Sequence, residues 1–107
     1  MGDGGADGVQ VEYEDEDLRR LAEDPEFRPR QWGRDVVVAY RKKIQILWAA
    51  TDERDLLALR SLRLERLSGN REGTCSIRLN DQFRLILTFR TGDNGRVVVV
   101  LELVDYH

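Results

Sequence analysis

The chain has 107 residues, 41% of them hydrophobic and 35% charged, with a formal net charge of −3. That length suits one domain around one core, and no apolar run approaches the roughly 20 residues of a membrane span. One cysteine and one histidine exclude an internal disulfide and a zinc site of the usual kind. The lone cysteine fits a reducing cytoplasm, the expected location. The opening "MGDGGADG" lacks the basic start and apolar stretch of a secretion signal. Charge is divided unevenly. Residues 1–26 carry ten acids and two bases, whereas residues 27–107 carry fifteen bases and ten acids. The body is therefore basic, and every base except Lys42 and Lys43 is arginine, the side chain suited to bidentate phosphate contact.

Residues 1–8, rich in Gly and Asp, are expected to be disordered, and residues 9–107 to form a single domain. Val9, Val11 and Tyr13 alternate with polar residues and predict a short strand. A helix from about Asp15 to Glu23 should end before Pro25, and "PEFRPRQWG" reads as a linker. Val36, Val37, Tyr40, Ile44, Leu47 and Trp48 recur at helical spacing. Arg34, Arg41, Lys42 and Gln45 fall on the other side, as a solvated face or a phosphate-contacting ridge. "TDERDLLAL" predicts a short third helix capped by Thr51 or Asp52.

From Leu62 the period changes to two. "LRLERL" alternates, "SGNREG" reads as a loop, and Cys75, Ile77 and Leu79 share a face opposite Ser76 and Arg78. Cys75 is thus expected to be an inert core thiol. Phe83, Leu85, Leu87 and Phe89 share a face opposite Arg84, Ile86 and Thr88. "TGDNG" predicts a second hairpin loop, and "VVVVLELV", apolar on both faces, belongs in the middle of the sheet. These elements predict an α+β fold, a small twisted antiparallel sheet with two to three helices on one face.

A three-residue loop at Asn80 to Gln82 pairs Leu79 with Phe83, Ile77 with Leu85 and Arg78 with Arg84, and alone keeps the apolar face intact. It opposes two guanidiniums, which repel unless an anion bridges them or each finds its own carboxylate. Near them could converge Gln82, Glu65 and the tail Asp105, Tyr106 and His107. Those residue types suit RNA strand cleavage without metal. That reaction needs a base for the 2′-hydroxyl, a cation for the phosphorane charge and an acid for the 5′-oxygen.

The stretch "LRLERLSGNREGTCSIRLNDQFRLILTF" and the closing "VVVVLELVDYH" resemble the HigB branch of the RelE/ParE toxin superfamily. The likeness spans about residues 34–107. It rests on the RLExLxG-x-R-x-G turn, the SIR-[LIV]-NDQ-[WF]-R hairpin and V-D-Y-H. It implies a RelE-like fold and a toxin of a type II toxin–antitoxin system that cleaves mRNA in the ribosomal A site without metal or other cofactor. It further implies a helix-turn-helix antitoxin of the HigA type as partner, with operator DNA reached only through that complex. By motif, Arg84 would stabilise the scissile phosphate. Asp105, Tyr106 and His107 would form the C-terminal part of the site, with His107 in proton transfer. Glu65 is a second proton-transfer candidate. Arg78, Gln82, Arg66, Arg71, Arg41 and Lys42 are the candidate RNA and phosphate contacts. Some HigB proteins carry His at the place of Glu65 and Lys at that of Ser68. With one imidazole here, a two-histidine mechanism is excluded. Two alternatives share the fold. One is a gyrase-directed toxin of the ParE type. The other is a catalytically weak toxin acting mainly as antitoxin partner and co-repressor.

Overall fold

A computed structural model describes residues 9–93 and 95–105. The chain runs β1 (Gln10–Tyr13), α1 (Glu16–Glu23), α2 (Arg34–Ala49), α3 (Glu53–Ala58), β2 (Glu65–Arg66), β3 (Cys75–Arg78), β4 (Phe83–Gly92) and β5 (Gly95–Asp105). Short 3₁₀ turns at Arg60–Leu62 and Gly69–Arg71 flank β2. The five strands form one sheet in the order β1-β5-β4-β3-β2. No helix among the described residues is long and apolar enough to cross a membrane.

Local chemistry sets the helix ends. The Asp15 carboxylate accepts from the Asp17 N–H at 2.7 Å, starting α1, and Asp52 does the same for α3 through the Arg54 N–H at 2.8 Å. Each satisfies one donor that the first helical turn leaves without an intrahelical partner. In α2 the buried residues are Val36, Tyr40, Ile44 and Leu47, while Trp48 remains 46% exposed. The Tyr40 hydroxyl, buried with its ring, donates to the Leu18 carbonyl at 2.8 Å and ties α2 to α1. Burial raises its pKa, followed by the repulsion of Tyr13 and Asp15.

The Arg41 guanidinium reaches back into the helical layer. Its Nε donates to the Leu21 carbonyl at 2.9 Å, and its Nη2 donates to the Asp24 and Phe27 carbonyls at 3.2 and 3.1 Å. It thereby satisfies carbonyls at the end of α1 and in the following linker. Arg20 stacks over the Phe27 ring at 4.1 Å in the same region. The linker is held by two cationic side chains, of which Arg41 lies on the side of α2 that periodicity marks as polar.

All three helices pack on one face of the sheet. Leu18, Leu21, Val36, Tyr40, Ile44, Leu47 and Leu56 form one core with Ile77, Leu85, Leu87, Val98 and Val100. The sheet is mixed rather than wholly antiparallel. β1 runs parallel to β5, with Val11 opposite Val98 and Tyr13 opposite Val100. The hairpin rule that fixes direction for β3, β4 and β5 does not reach β1, because the helical layer intervenes and carries the chain back in the same sense. β5 lies inside the sheet, as its two apolar faces required, and β4 is the central strand. The alternation in "LRLERL" yields only the two-residue β2; Leu62 is instead the buried residue of a 3₁₀ turn. The second hairpin is tighter than expected, with Gly92 opposite Gly95.

β4 and β5 change register once. Ile86 faces Glu102, but Leu87 faces Val100, so Leu101 is an extra, unpaired residue in β5. Such a bulge inverts the alternation beyond it. Val98 and Val100 point to the helices, and after Leu101 it is Leu103 that does so. Glu102 and Val104 share the opposite face with their partners Ile86 and Arg84.

Cys75 is buried at 8% exposure, as expected of a core thiol. Desolvation dominates and pushes its pKa above the ordinary 9.0, against a smaller lowering by Arg66. Less thiolate then exists at any pH below that value, and thiolate is the reactive form. Iodoacetamide should therefore modify Cys75 in the folded protein at least about tenfold more slowly than in urea at pH 8. Equal rates would show an accessible thiol.

Candidate functional site

The face turned away from the helices carries the charged residues of the central hairpin. The three-residue turn places Ile77 opposite Leu85 and Arg78 opposite Arg84. The Asn80 side chain accepts from the Gln82 and Phe83 N–H groups at 2.9 and 2.8 Å, and the Leu79 N–H donates to the Phe83 carbonyl at 3.0 Å. This Asx-type arrangement closes the turn without glycine.

The opposed guanidiniums are separated by their partners. Arg78 pairs with Asp81 in the turn. Arg84 points toward β2 and β3. Its Nε donates to Ser76 Oγ at 2.9 Å, its Nη2 donates to the Arg63 carbonyl at 2.7 Å, and Glu65 Oε1 lies 3.5 Å from Nη2. The Arg84 side chain is only 13% exposed. Each cation thus has a carboxylate beside it, which removes the repulsion that direct pairing would impose.

The 67–74 segment is tied across the same face. Thr88 Oγ1 donates to the Gly73 carbonyl at 2.8 Å, and Arg71 Nη1 meets Glu102 Oε2 at 2.7 Å. Ile86 and Ser76 are fully buried on this side of the sheet. At its end, Gln82 Nε2 donates to Asp105 Oδ2 at 3.0 Å. Asp105 is opposite Phe83 and one residue beyond Val104, the partner of Arg84. Tyr106 and His107 lie outside the described residues.

The candidate residues therefore divide. Arg84, Glu65, Arg78 and Arg71 share one face, whereas Asp105, bonded to Gln82, is opposite Phe83, which packs against the helical core. Arg66 is opposite Cys75, whereas Glu65 is opposite Ser76, so alternation turns Arg66 to the other face. There it lines a cleft with Glu53, Leu57, Cys75 and Phe89. Lys42 lines an open groove between α2 and Leu79, together with Arg34 and Lys43. Arg41 is engaged in the helical layer. Three contributors were not singled out from sequence: Ser76, Glu102 and the Arg63 carbonyl. Ser76 had a usable signal, a hydroxyl between the apolar Cys75 and Ile77 on the Arg84 side of β3.

A family model for the RelE-like toxin of the type II toxin–antitoxin system HigB matches residues 11–107. The chain belongs to the HigB-like toxin family. This HigB-like toxin is 39% identical over 84 residues to Toxin HigB-1 of Vibrio cholerae serotype O1, covering 78% of this chain and 87% of that one. Among solved structures it resembles a YoeB/ParE toxin from Agrobacterium tumefaciens. That likeness has a TM-score of 0.58 and 13% identity, over 92% of this chain and all of the other. It also resembles the YoeB–YefM complex from Staphylococcus aureus, with a TM-score of 0.53 and 19% identity, over 92% and 97% of the respective chains. The structural likenesses concern the fold, which is RelE-like.

The arrangement of this HigB-like toxin can bind an anion against a pre-oriented cation, with a carboxylate within proton-transfer range of the same place.

Proposed function

We propose that this HigB-like toxin is a ribosome-dependent mRNA endonuclease that needs no metal. The observation that carries this reading is the Arg84 guanidinium, held beside Glu65 on the side of the sheet turned away from the helices, in a strand paired with the one in which Asp105 leads into Tyr106 and His107 in sequence.

In the proposed reaction an RNA 2′-hydroxyl attacks the adjacent phosphorus and loses its proton to a base. The P–O5′ bond breaks, and the departing 5′-oxygen takes a proton. The products are a 2′,3′-cyclic phosphate and a 5′-hydroxyl. Arg84 stabilises the negative charge that builds on the phosphorane oxygens. His107 transfers the proton to the leaving oxygen, since an imidazole is the side chain best matched to that task near neutrality. Glu65 is the second proton-transfer group. Tyr106 stacks on a base or orients the phosphate, and Asp105, held by Gln82, anchors the tail. Arg78 and Arg71 are phosphate contacts on the same face. The ribosome supplies the remaining alignment of the strand.

The toxin acts in the cytoplasm and is silenced by a partner antitoxin of the helix-turn-helix, HigA type, through which it reaches operator DNA. Membership of a type II toxin–antitoxin family supports an antitoxin partner. The Staphylococcus aureus structures similar in fold are complexes of a toxin with its antitoxin.

Translation-coupled mRNA cleavage by wild type and by His107→Ala, both without a C-terminal tag, tests the reading. The variant should be slower by about 10²- to 10⁴-fold, the usual worth of a general acid. Equal cleavage would remove His107 from the site. DNA-damage signalling without mRNA cleavage would instead indicate a gyrase-directed toxin of the ParE type. Harmless expression of the wild type without antitoxin would indicate a binding and co-repressor role.

A further inference from the structure

We infer that Ser76 and the left-handed backbone at Arg63 are positioning residues that hold the Arg84 guanidinium in one orientation. The inference rests on the reading of Arg84 as the cation that meets the scissile phosphate. An arginine side chain has rotamer entropy to lose before it can serve one geometry. Here two different nitrogens of the planar fork are held, Nε by Ser76 Oγ at 2.9 Å and Nη2 by the Arg63 carbonyl at 2.7 Å. Two bonds from one rigid plane fix both its direction and its tilt.

Each anchor is costly unless used. Ser76 is fully buried, and a buried hydroxyl without a partner is destabilising. It stands between the buried Cys75 and Ile77 in β3, where an apolar side chain would otherwise be expected. Arg63 is the only non-glycine residue with positive φ among those described, at φ 49° and ψ 49°. That conformation is unfavourable for an L-residue with a Cβ. The exposed Arg63 side chain offers no packing to offset it. What the conformation achieves is to end the turn that follows the buried Leu62 and aim a carbonyl at Arg84. A strained residue whose carbonyl serves a site residue is the usual setting for such an outlier.

The comparison that isolates the backbone is Arg63→Gly against Arg63→Val. Both remove the same side chain, but glycine adopts the left-handed conformation freely and a β-branched residue resists it. Ser76→Ala removes the other anchor. Thermal unfolding establishes that each full-length variant is folded. Solvent exchange of the Arg84 Nε–H, followed by ¹⁵N NMR, reads the orientation directly. Translation-coupled cleavage gives kcat and KM. In Ser76→Ala and Arg63→Val the Nε–H should exchange faster. Their kcat should fall about 10- to 100-fold, the cost of a small misplacement, with KM little changed. Arg63→Gly should lie closer to wild type than Arg63→Val in both readouts. Wild-type exchange and kcat in Ser76→Ala and Arg63→Val would overturn the inference, as would an Arg63→Gly as impaired as Arg63→Val. If the exchange results hold but wild type cleaves no mRNA, the positioning stands and the nuclease reading fails.

Discussion

Arg84→Ala should reduce translation-coupled mRNA cleavage by about 10²- to 10³-fold, the usual loss when one preorganised charge-stabilising group is removed. The effect should fall mainly on kcat, because the charge added to the phosphodiester's own negative charge develops only as the phosphorane forms. Arg84→Lys should not restore it. An ammonium is a point charge without the planar fork, so it cannot meet Ser76 Oγ and the Arg63 carbonyl from two fixed nitrogens and still present charge to RNA. Single-turnover cleavage at saturating ribosomes provides the measurement. A lysine variant with wild-type kcat would show that charge alone suffices and geometry does not matter.

Leu85→Ala should be the most damaging core substitution. Leu85 is fully buried in the central strand, between Ile77 of β3 and Leu103 of β5, and belongs to the core shared with the helices. Its truncation should cost about 3–5 kcal/mol through lost transfer energy and the remaining cavity. Against a total of roughly 5–15 kcal/mol for a domain, this leaves a protein close to unfolding. Leu85→Met, which preserves volume, should cost less than about 1.5 kcal/mol. Urea denaturation of the two variants tests the contrast. A Leu85→Ala midpoint near wild type would mean that the site collapses without a void. Because Leu85 neighbours Arg84 but faces the helices, a folded Leu85→Met should keep its cleavage activity.

Much of this architecture was legible where one local rule governs. Asp15 and Asp52 announce helix starts through capping, and both structures begin there. The Arg78–Arg84 pairing follows from keeping Ile77, Leu79, Phe83 and Leu85 on one side, and the register agrees. What escaped is what no local pattern encodes. The direction of β1 depends on the helical layer between it and β5. Arg41 looks solvated by periodicity, yet its guanidinium is long enough to reach back to the carbonyls of the preceding segment. Alternation correctly opposes Glu65 to Arg66, but only the pairing with Ser76 and Cys75 shows which of them accompanies Arg84. The family likeness named Arg84 but not its supports. A carbonyl has no side-chain identity, so Arg63 is invisible until its backbone conformation is known.

The unpaired Leu101 divides the last strand into a stem and a tip that answer to different demands. Within the stem, Val97 to Val100 can exchange among similar apolar residues under pressure from packing alone. The tip takes its aim from the one-residue slip, which sends Glu102 to Arg71 and Val104 to Arg84. Evolution can therefore re-aim the tip of this strand by gaining or losing a single residue at the join, while the buried stem keeps its neighbours.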